Sequence, residues 1–550
     1  MDPELFSRPA ILAPIFLAIS YIVYQIFLKP SPVSQLNLPI VGARPGDWFP
    51  YTQAQWRNYR DFRAAALEAD RLSRAANPEN PHQAVLFPVL GGTPNLIYLP
   101  RSEIKFVIDQ PDPVGVDMHG QVVDTMQLDY ILSDPHLVRD PIWSTHHKMV
   151  ATTLTSQIPN LVPDLADETA WLFKHLWELD PGQSKDVLVF DTLRRVISGT
   201  TNRVTVGLPL CRDEEFQHVS VSHASLVATT GQVMSWIWKP FKPLVALVTA
   251  MPLKRISHRF CELLRPEVKR RLAEYDAHQA ALEKKSSSGA VRNDFLQWTI
   301  NQAKTVGSPY LLSPETLAGR IALLNFSGIH TTAFAVTHAL LDLVYSPNRE
   351  QIIAELREEI ESCLDKYGEP RWKKASLNAM HKLDSLLRES GRLNSIVNIG
   401  LPRKVSAPEG LLTPHSKIRI PKGTSIAVPA YAVFRDPETY PSPDEFKPFR
   451  FAEQRADSSE ENSTRARAGK AFPSTSAEYL VFGHGKTACP GRFFVANELM
   501  LVMAHIVLHY DLGPGKGQTS RPENKWYGMN VLPDLGASIR VTRREKTSFS

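Results

Sequence analysis

Apolar residues along this chain recur mostly at three- and four-residue steps, the period of helices with one buried face. Residues 10–28 break the pattern: about 19 positions pass without a charge, long enough for a helix to cross a bilayer core. Asp2, Glu4 and Arg8 precede the run and Lys29 follows it, a weak positive bias that leaves the rest of the chain on the cytosolic side. An acidic start without a basic leader speaks against a cleaved signal peptide. Pro30, Pro32 and Pro39 then predict a stiff, non-helical exit.

Residues 56–77, rich in Arg and Ala, predict a helix, and the apolar runs 84–90 and 96–99 around Gly91-Gly92 predict a hairpin. From there to about Leu393 the texture is mostly helical. Ser313-Pro314 places a capping hydroxyl before a first-turn proline and opens a long helix to about Tyr345. Ser346-Pro347 opens another, with Ile353, Leu356 and Ile360 at helical spacing. Residues 107–137, mixed and Asp-rich, are expected to form a long substrate-facing coil, and 220–241 a second stretch that shapes a pocket. The apolar run 244–253 is too short to span a membrane; we expect it in the core, the alternative being a dip into the membrane surface. Residues 284–289 read as a linker and 452–470 as a surface insertion. Strand-like segments follow at 397–405 and 418–428, and a hairpin at 529–542 around Pro533-Asp534. The pattern is a mainly α body with small β-sheets (α+β) over 31–550, preceded by an anchor over 1–30.

Composition changes this little. Apolar content of 43% and charged content of 22% suit a large globular core. A net charge of +5 over 550 residues is too weak to suggest nucleic acid. Cys211, Cys261, Cys363 and Cys489 are scattered, with neither metal-site spacing nor a disulfide framework, which suits a reducing compartment.

The chemistry concentrates in Phe482-Gly-His-Gly-Lys-Thr-Ala-Cys489-Pro-Gly491, a glycine-rich turn before an apolar helical run. Gly485-Lys486-Thr487 looks like the end of a phosphate loop, but Leu480 stands where that loop needs glycine and Pro490 interrupts the helix. A lone thiolate behind such a turn can hold a haem iron. The segment resembles the haem-binding signature of the cytochrome P450 monooxygenases at Phe482, Gly485, Cys489 and Gly491. Its basic position holds Thr487, with Lys486 beside it as the substitute.

Three further segments resemble the same family, in the same order. Ser327-Gly328-Ile-His330-Thr331-Thr332 is similar to the oxygen-activation motif. The resemblance implies that Gly328 opens the helix beside the iron and that Thr331 relays protons. His330 stands in the acidic position, where an imidazole can still exchange a proton near neutrality. Without the resemblance, the threonines would be read as bonding back to their own helix carbonyls, with a solvent-facing histidine. Glu389 and Arg392 share a helix face, and with Arg450 they resemble the family's buried structural triad. Trp143 and His147 are similar to its tryptophan and basic residue on a haem propionate, with His146 and Lys148 as rival donors, and Arg403 stands where members place a propionate arginine.

The resemblance implies a haem b monooxygenase with Cys489 as axial ligand, taking O2, a small apolar substrate and electrons from an NADPH-cytochrome reductase, with cytochrome b5 as a further donor. It implies a single-pass anchor in the endoplasmic reticulum membrane with the catalytic domain in the cytosol. The expected substrate is a fungal secondary-metabolite intermediate, a terpenoid or meroterpenoid first, a polyketide or alkaloid second. Two other readings stand beside it: a haem-thiolate isomerase, dehydratase or peroxide user, and a non-enzymatic membrane-anchored haem carrier or sensor.

Overall fold

The computed structural model describes residues 33–75, 82–90, 96–283, 292–368, 372–396, 398–456 and 468–545, with five positions between 13 and 21. The membrane helix expected over 10–28 lies almost wholly outside the described residues, as do the turn at 91–92, the linker at 284–289 and most of the insertion at 452–470.

The long helix Pro314–Val344 runs through the core, and Ser313 Oγ accepts the Thr316 N–H at its start. Helices Val189–Thr205, Glu214–Ser235, Met251–Glu283 and Arg492–His509 pack against it. Arg492–His509 is, among the described residues, the one helix long and apolar enough to cross a membrane; 83% of it is buried, so it is a core helix. A five-stranded sheet lies to one side, in the order Val85–Phe87, Leu96–Tyr98, Ser425–Val428, Gly400–Val405, Val116–Asp117. Leu96–Tyr98 and Ser425–Val428 run parallel and the other neighbours antiparallel.

The structure corrects four expectations. The helix read over 56–77 is two helices, Pro50–Arg60 and Phe62–Ala75, because Asp61 leaves helical geometry and accepts the Ala64 N–H on its side chain. The coil read over 107–137 is mostly helical: Asp117 and Asp134 are caps, opening Met118–Met126 and the short turn Pro135–Val138. The hairpin read over 529–542 does not form. Asn530–Leu532 pairs with Lys525–Tyr527, while Ser538–Arg543 runs between Ser184–Leu188 and Tyr510–Pro514. The run 244–253 is only half core: Ala246, Ala250 and Leu253 are buried, but Leu244, Leu247 and Val248 each keep 66% of their surface exposed.

Several histidines sit deep in this frame. Burial holds His146 down at about 3 and His223 and His509 at about 4, since a charged ring cannot be solvated there. These values lie below the unfolded one near 6.5, so the native state binds fewer protons and loses stability as pH falls from about 6.5 toward 4. The urea midpoint should therefore drop steadily below about pH 6.5. Replacing the buried His223 by Leu should make that drop shallower, and an unchanged slope would show that its burial is not part of the acid response.

Candidate functional site

The cysteine loop is shaped by its backbone. Gly483 and Gly485 adopt φ of +67° and +76°, and a Cβ on Gly485 would come within 3.1 Å of Ile108 Cβ, so glycine is required there. The Cys489 N–H donates to Phe482 O at 2.8 Å, closing the turn, and Phe482 packs edge-on to Phe472 at 5.2 Å. Gly491 lies against Val150, where a Cβ on the glycine would stand 3.9 Å from Cγ1. There helix Ile142–Met149 passes into a π-helical turn over Val150–Leu154. Burial pushes the Cys489 thiol up, while the backbone N–H groups of Gly491 and Arg492 and the Arg492 guanidinium pull it back down. Such a site holds a neutral thiol until a cation arrives, and metal binding then releases the proton.

The segment leading into this loop hangs from helix His381–Leu393. Glu389, fully buried, accepts from Arg392 Nε and Nη2 at 2.9 Å each and from Arg450 Nε at 3.1 Å, so the three predicted triad residues meet. Arg392 Nη1 also donates to the carbonyls of Phe434 and Pro443 at 2.6 Å. Sequence reasoning missed the rest of the anchor. Ser385 Oγ accepts the N–H groups of Phe451 and Ala452, Asp384 accepts the Phe472 N–H and pairs with Arg455, and Arg388 lies 3.7 Å above the Tyr479 ring. The available signal was a row of polar residues flanking the apolar Leu383, Leu386 and Leu387.

On the long helix, Ser327 and Thr331 stand one turn apart and remain exposed, while the residues around them are buried or half-buried. Leu324, Gly328 and Ala335 extend that half-open stripe at three- and four-residue steps. Thr331 Oγ1 donates to Ser327 O at 2.8 Å, the local bond expected of a helical threonine. Gly328 leans toward Thr201, and a Cβ on it would stand 3.8 Å from Thr201 Cγ2, so alanine also fits there. His330 does not face solvent. Its Nε2 lies 2.9 Å from Ser225 Oγ, whose own hydrogen goes to Val221 O at 2.9 Å, so Nε2 carries the proton and donates. Burial, then the nearby Arg194 charge, push this imidazole down to about 4.

The third group gathers around strand Gly400–Val405. A register shift between Gly400 and Arg403, with Leu401 at φ +49°, re-aims the strand there. Arg403, 4% exposed, donates to the Thr487 hydroxyl and to Pro402 O, and burial pushes its guanidinium down to about 10. Thr487 thus receives its cation from this strand. Lys486, the substitute expected from the sequence, is exposed and makes no ion pair with a described residue. Trp143 stacks on His119 at 4.2 Å and lies 6.4 Å from His147, whose imidazole burial pushes down. Of the rival donors, His146 is turned edge-on to Phe295 at 5.3 Å and Lys148 is exposed. A buried arginine without a carboxylate in contact, beside orphaned His119 Nδ1 and His147 Nε2, fits the carboxylates of a haem next to a cysteine ligand.

The model of the Cytochrome P450 family matches residues 90–541. The chain belongs to the cytochrome P450 family. It is 35% identical over 431 residues to cytochrome P450 monooxygenase 71 of Postia placenta, covering 77% of this chain and 79% of that protein. With cytochrome P450 monooxygenase astC of Aspergillus terreus it shares 28% identity over 544 residues, 98% of both chains. Cytochrome P450 monooxygenase tenB of Beauveria bassiana is 29% identical over 537 residues, 96% of this chain and 95% of that one. The mainly helical body with small sheets is the P450 fold, and the protein is a haem monooxygenase, an oxidoreductase whose family binds iron through a cysteine. The haem carrier or sensor reading falls with this membership.

Replacing Glu389 by Ala leaves two buried guanidinium groups uncompensated, a loss of about 3–5 kcal/mol for a broken buried pair. The variant should melt well below the wild type and purify with little haem, with Glu389→Gln in between. Wild-type haem content and melting temperature in Glu389→Ala would show that the triad does not hold the loop.

Proposed function

We propose that Cys489 is the axial ligand and that this P450 hydroxylates an apolar secondary-metabolite intermediate, a terpenoid or meroterpenoid skeleton first and a polyketide or alkaloid second. The observations that carry the catalytic part are a glycine-shaped cysteine loop and, on the long helix, an open stripe at Ser327 and Thr331 among mostly buried residues. The apolar substrate is supported by the side chains that meet the long helix on its other flank. Leu132, Val138 and Val227 cluster with Leu323, and Val123 and Phe326 pack against them. The natural-product setting rests on the fungal relatives.

Bound haem supplies the activation of dioxygen: one oxygen atom enters a C–H bond of the substrate and the other leaves as water, with two electrons and two protons consumed. The chain's own residues bind, orient and protect. Cys489 offers its sulfur inside a turn that shields it from water. Arg403, Trp143 and His147 would hold the haem carboxylates. Thr331 keeps a hydroxyl proton at the opening, parked on the Ser327 carbonyl. Electrons come from an NADPH-dependent flavoprotein reductase. The body sits at the endoplasmic reticulum membrane on the cytosolic side, a placement supported by the uncharged run 10–28 and by Leu244, Leu247 and Val248 on one exposed helix face.

His330 motivates a second reading. Held neutral by burial and by Ser225, it offers no carboxylate beside Thr331, as a haem-thiolate isomerase, dehydratase or peroxide user could tolerate. The two separate on electron supply: the monooxygenase stops when NADPH or reductase is withheld, and the alternative does not.

In microsomes, the reduced carbon monoxide-bound protein should show a strongly red-shifted Soret band that disappears in Cys489→His; an unshifted band in the wild type would falsify the thiolate assignment. Thr331→Ala should keep that band but lose product formed per NADPH consumed, by roughly tenfold or more, the scale of a removed proton-transfer group. Undiminished coupling would take Thr331 out of the mechanism.

A further inference from the structure

Helix Lys242–Thr249 is amphipathic the wrong way round. Leu244, Leu247 and Val248 are exposed, whereas Lys242 keeps 9% of its surface and shares the inner face with the buried Ala246. A lysine at a surface normally buries its stem and leaves the ammonium in water. Here the helix packs against Glu214–Ser235 and the short helix Leu128–Ile131, and the Lys242 ammonium reaches Gln127 at the start of the latter.

An ammonium carries three hydrogens. Nζ donates one to Gln127 Oε1 at 2.6 Å and stands 5.9 Å from the centre of the Tyr130 ring. Gln127 is itself fixed: its backbone is left-handed at φ +58°, and its amide donates to Asp124 O. Among the described residues no carboxylate pairs with Lys242. Asp124, whose charge it feels, bonds to Lys404 instead. Burial pushes the ammonium down, Asp124 pulls it back up and the Lys239 charge pushes it down again. A buried cation with unused hydrogens and no counter-ion is costly, and an anion from outside the chain would complete it.

The position indicates what carries that anion. Ala246 and Tyr130 belong to the apolar cluster of Leu132, Val138 and Val227, which meets the long helix at Leu323 and Phe326. Thr331 lies eight residues beyond Leu323 on that helix, about 12 Å along its axis. An apolar wall thus runs from the long helix out to one buried cation. We propose that Lys242 receives a carboxylate carried by the substrate, so that the enzyme takes an apolar skeleton with one acidic end and oxidises a carbon remote from it. The inference rests on reading this wall as the substrate's, and it deepens that reading. Lys242 lies on the opposite face from the exposed leucines, which favours a ligand inside the wall over a lipid headgroup. A site built to bond a charged group rejects the analogue that lacks it, so an acid and its ester should separate clearly.

The test uses the full-length holoprotein in neutral detergent, with its reduced carbon monoxide band recorded first. Dodecanoate, hexadecanoate and abietate are titrated beside their methyl esters. Binding is read from the ferric Soret shift and from the rise in melting temperature. At least one acid should bind about tenfold or more tighter than its ester, the scale of one charge-assisted hydrogen bond. Lys242→Met should remove that preference while ester binding stays, and Lys242→Arg should keep it. A series with no preferred acid would overturn the proposal, as would an undiminished preference in Lys242→Met. Equal weakening of acid and ester in Lys242→Met would overturn it too, showing a lysine that only ties helices together through Gln127. Phosphatidylserine vesicles that bind the wild type better than Lys242→Met, without any preferred acid, would give the site to a lipid headgroup and count against the proposal. The wild-type comparison decides even if a variant does not fold. Esters that bind where acids do not would leave the apolar substrate reading intact and remove Lys242 from it. A missing carbon monoxide band would sink the haem-thiolate reading alone, since the melting temperature still reports the acid preference.

Discussion

One buried carboxylate, Glu389, carries two guanidinium groups, and the segment that ends in the cysteine loop hangs from that contact. Burying three charges is costly unless each is matched and fully hydrogen-bonded. Here the arginines spend their remaining donors on the carbonyls of Phe434, Pro441 and Pro443, so the charges and the irregular chain satisfy each other. Ser385 and Asp384 extend the same helix face onto Phe451, Ala452 and Phe472. A segment with little regular structure beyond the short helix Arg450–Ala456 has thereby been given a rigid support, which a ligand sulfur needs if its position is to be set before the cofactor arrives.

The two sides of the site use different physics. On the cysteine side the backbone decides: left-handed glycines, a close approach to Ile108 and Val150, and N–H groups aimed at sulfur. On the long helix the deciding feature is missing packing. Ser327 and Thr331 stay open within a helix buried almost throughout, and Thr331 keeps its hydroxyl satisfied locally. His330 turns the other way and ties the long helix to Ser225 as a neutral donor. A carboxylate in that position would bring a charge into the same buried setting.

Among the described residues, the cysteine loop has no basic residue of its own in contact with the Thr487 hydroxyl. The cation arrives from a neighbouring strand that is bulged at the right place. Stabilising charge is a property of where a guanidinium ends up, and an arginine far away in sequence can take the place of a residue in the loop. His119 is likewise brought onto Trp143 by a helix that follows a strand of the sheet.

The sequence by itself determined the parts governed by local rules. The capped long helix, the glycine-rich cysteine turn and the shared face of Glu389 and Arg392 follow from short-range geometry, and the family and the triad with Arg450 were implied by the resemblance of these segments to its motifs. The mainly helical body was legible because helical periodicity is a local signal; the P450 fold was implied by the resemblance of the motifs. Tertiary structure alone decided what depends on distant partners. The segment at 107–137 reads as coil because its helices are short and capped by single aspartates, and only packing against strand Gly400–Val405 and helix Glu214–Ser235 keeps them formed. Ser538–Arg543 joins Ser184–Leu188 and Tyr510–Pro514 rather than its neighbour, because strand pairing rewards buried partners wherever they lie along the chain. The meetings of Arg403 with Thr487, His119 with Trp143 and Ser225 with His330 carry no local signal. They arise from long-range packing, which places buried donors and acceptors where no spacing along the chain could announce them.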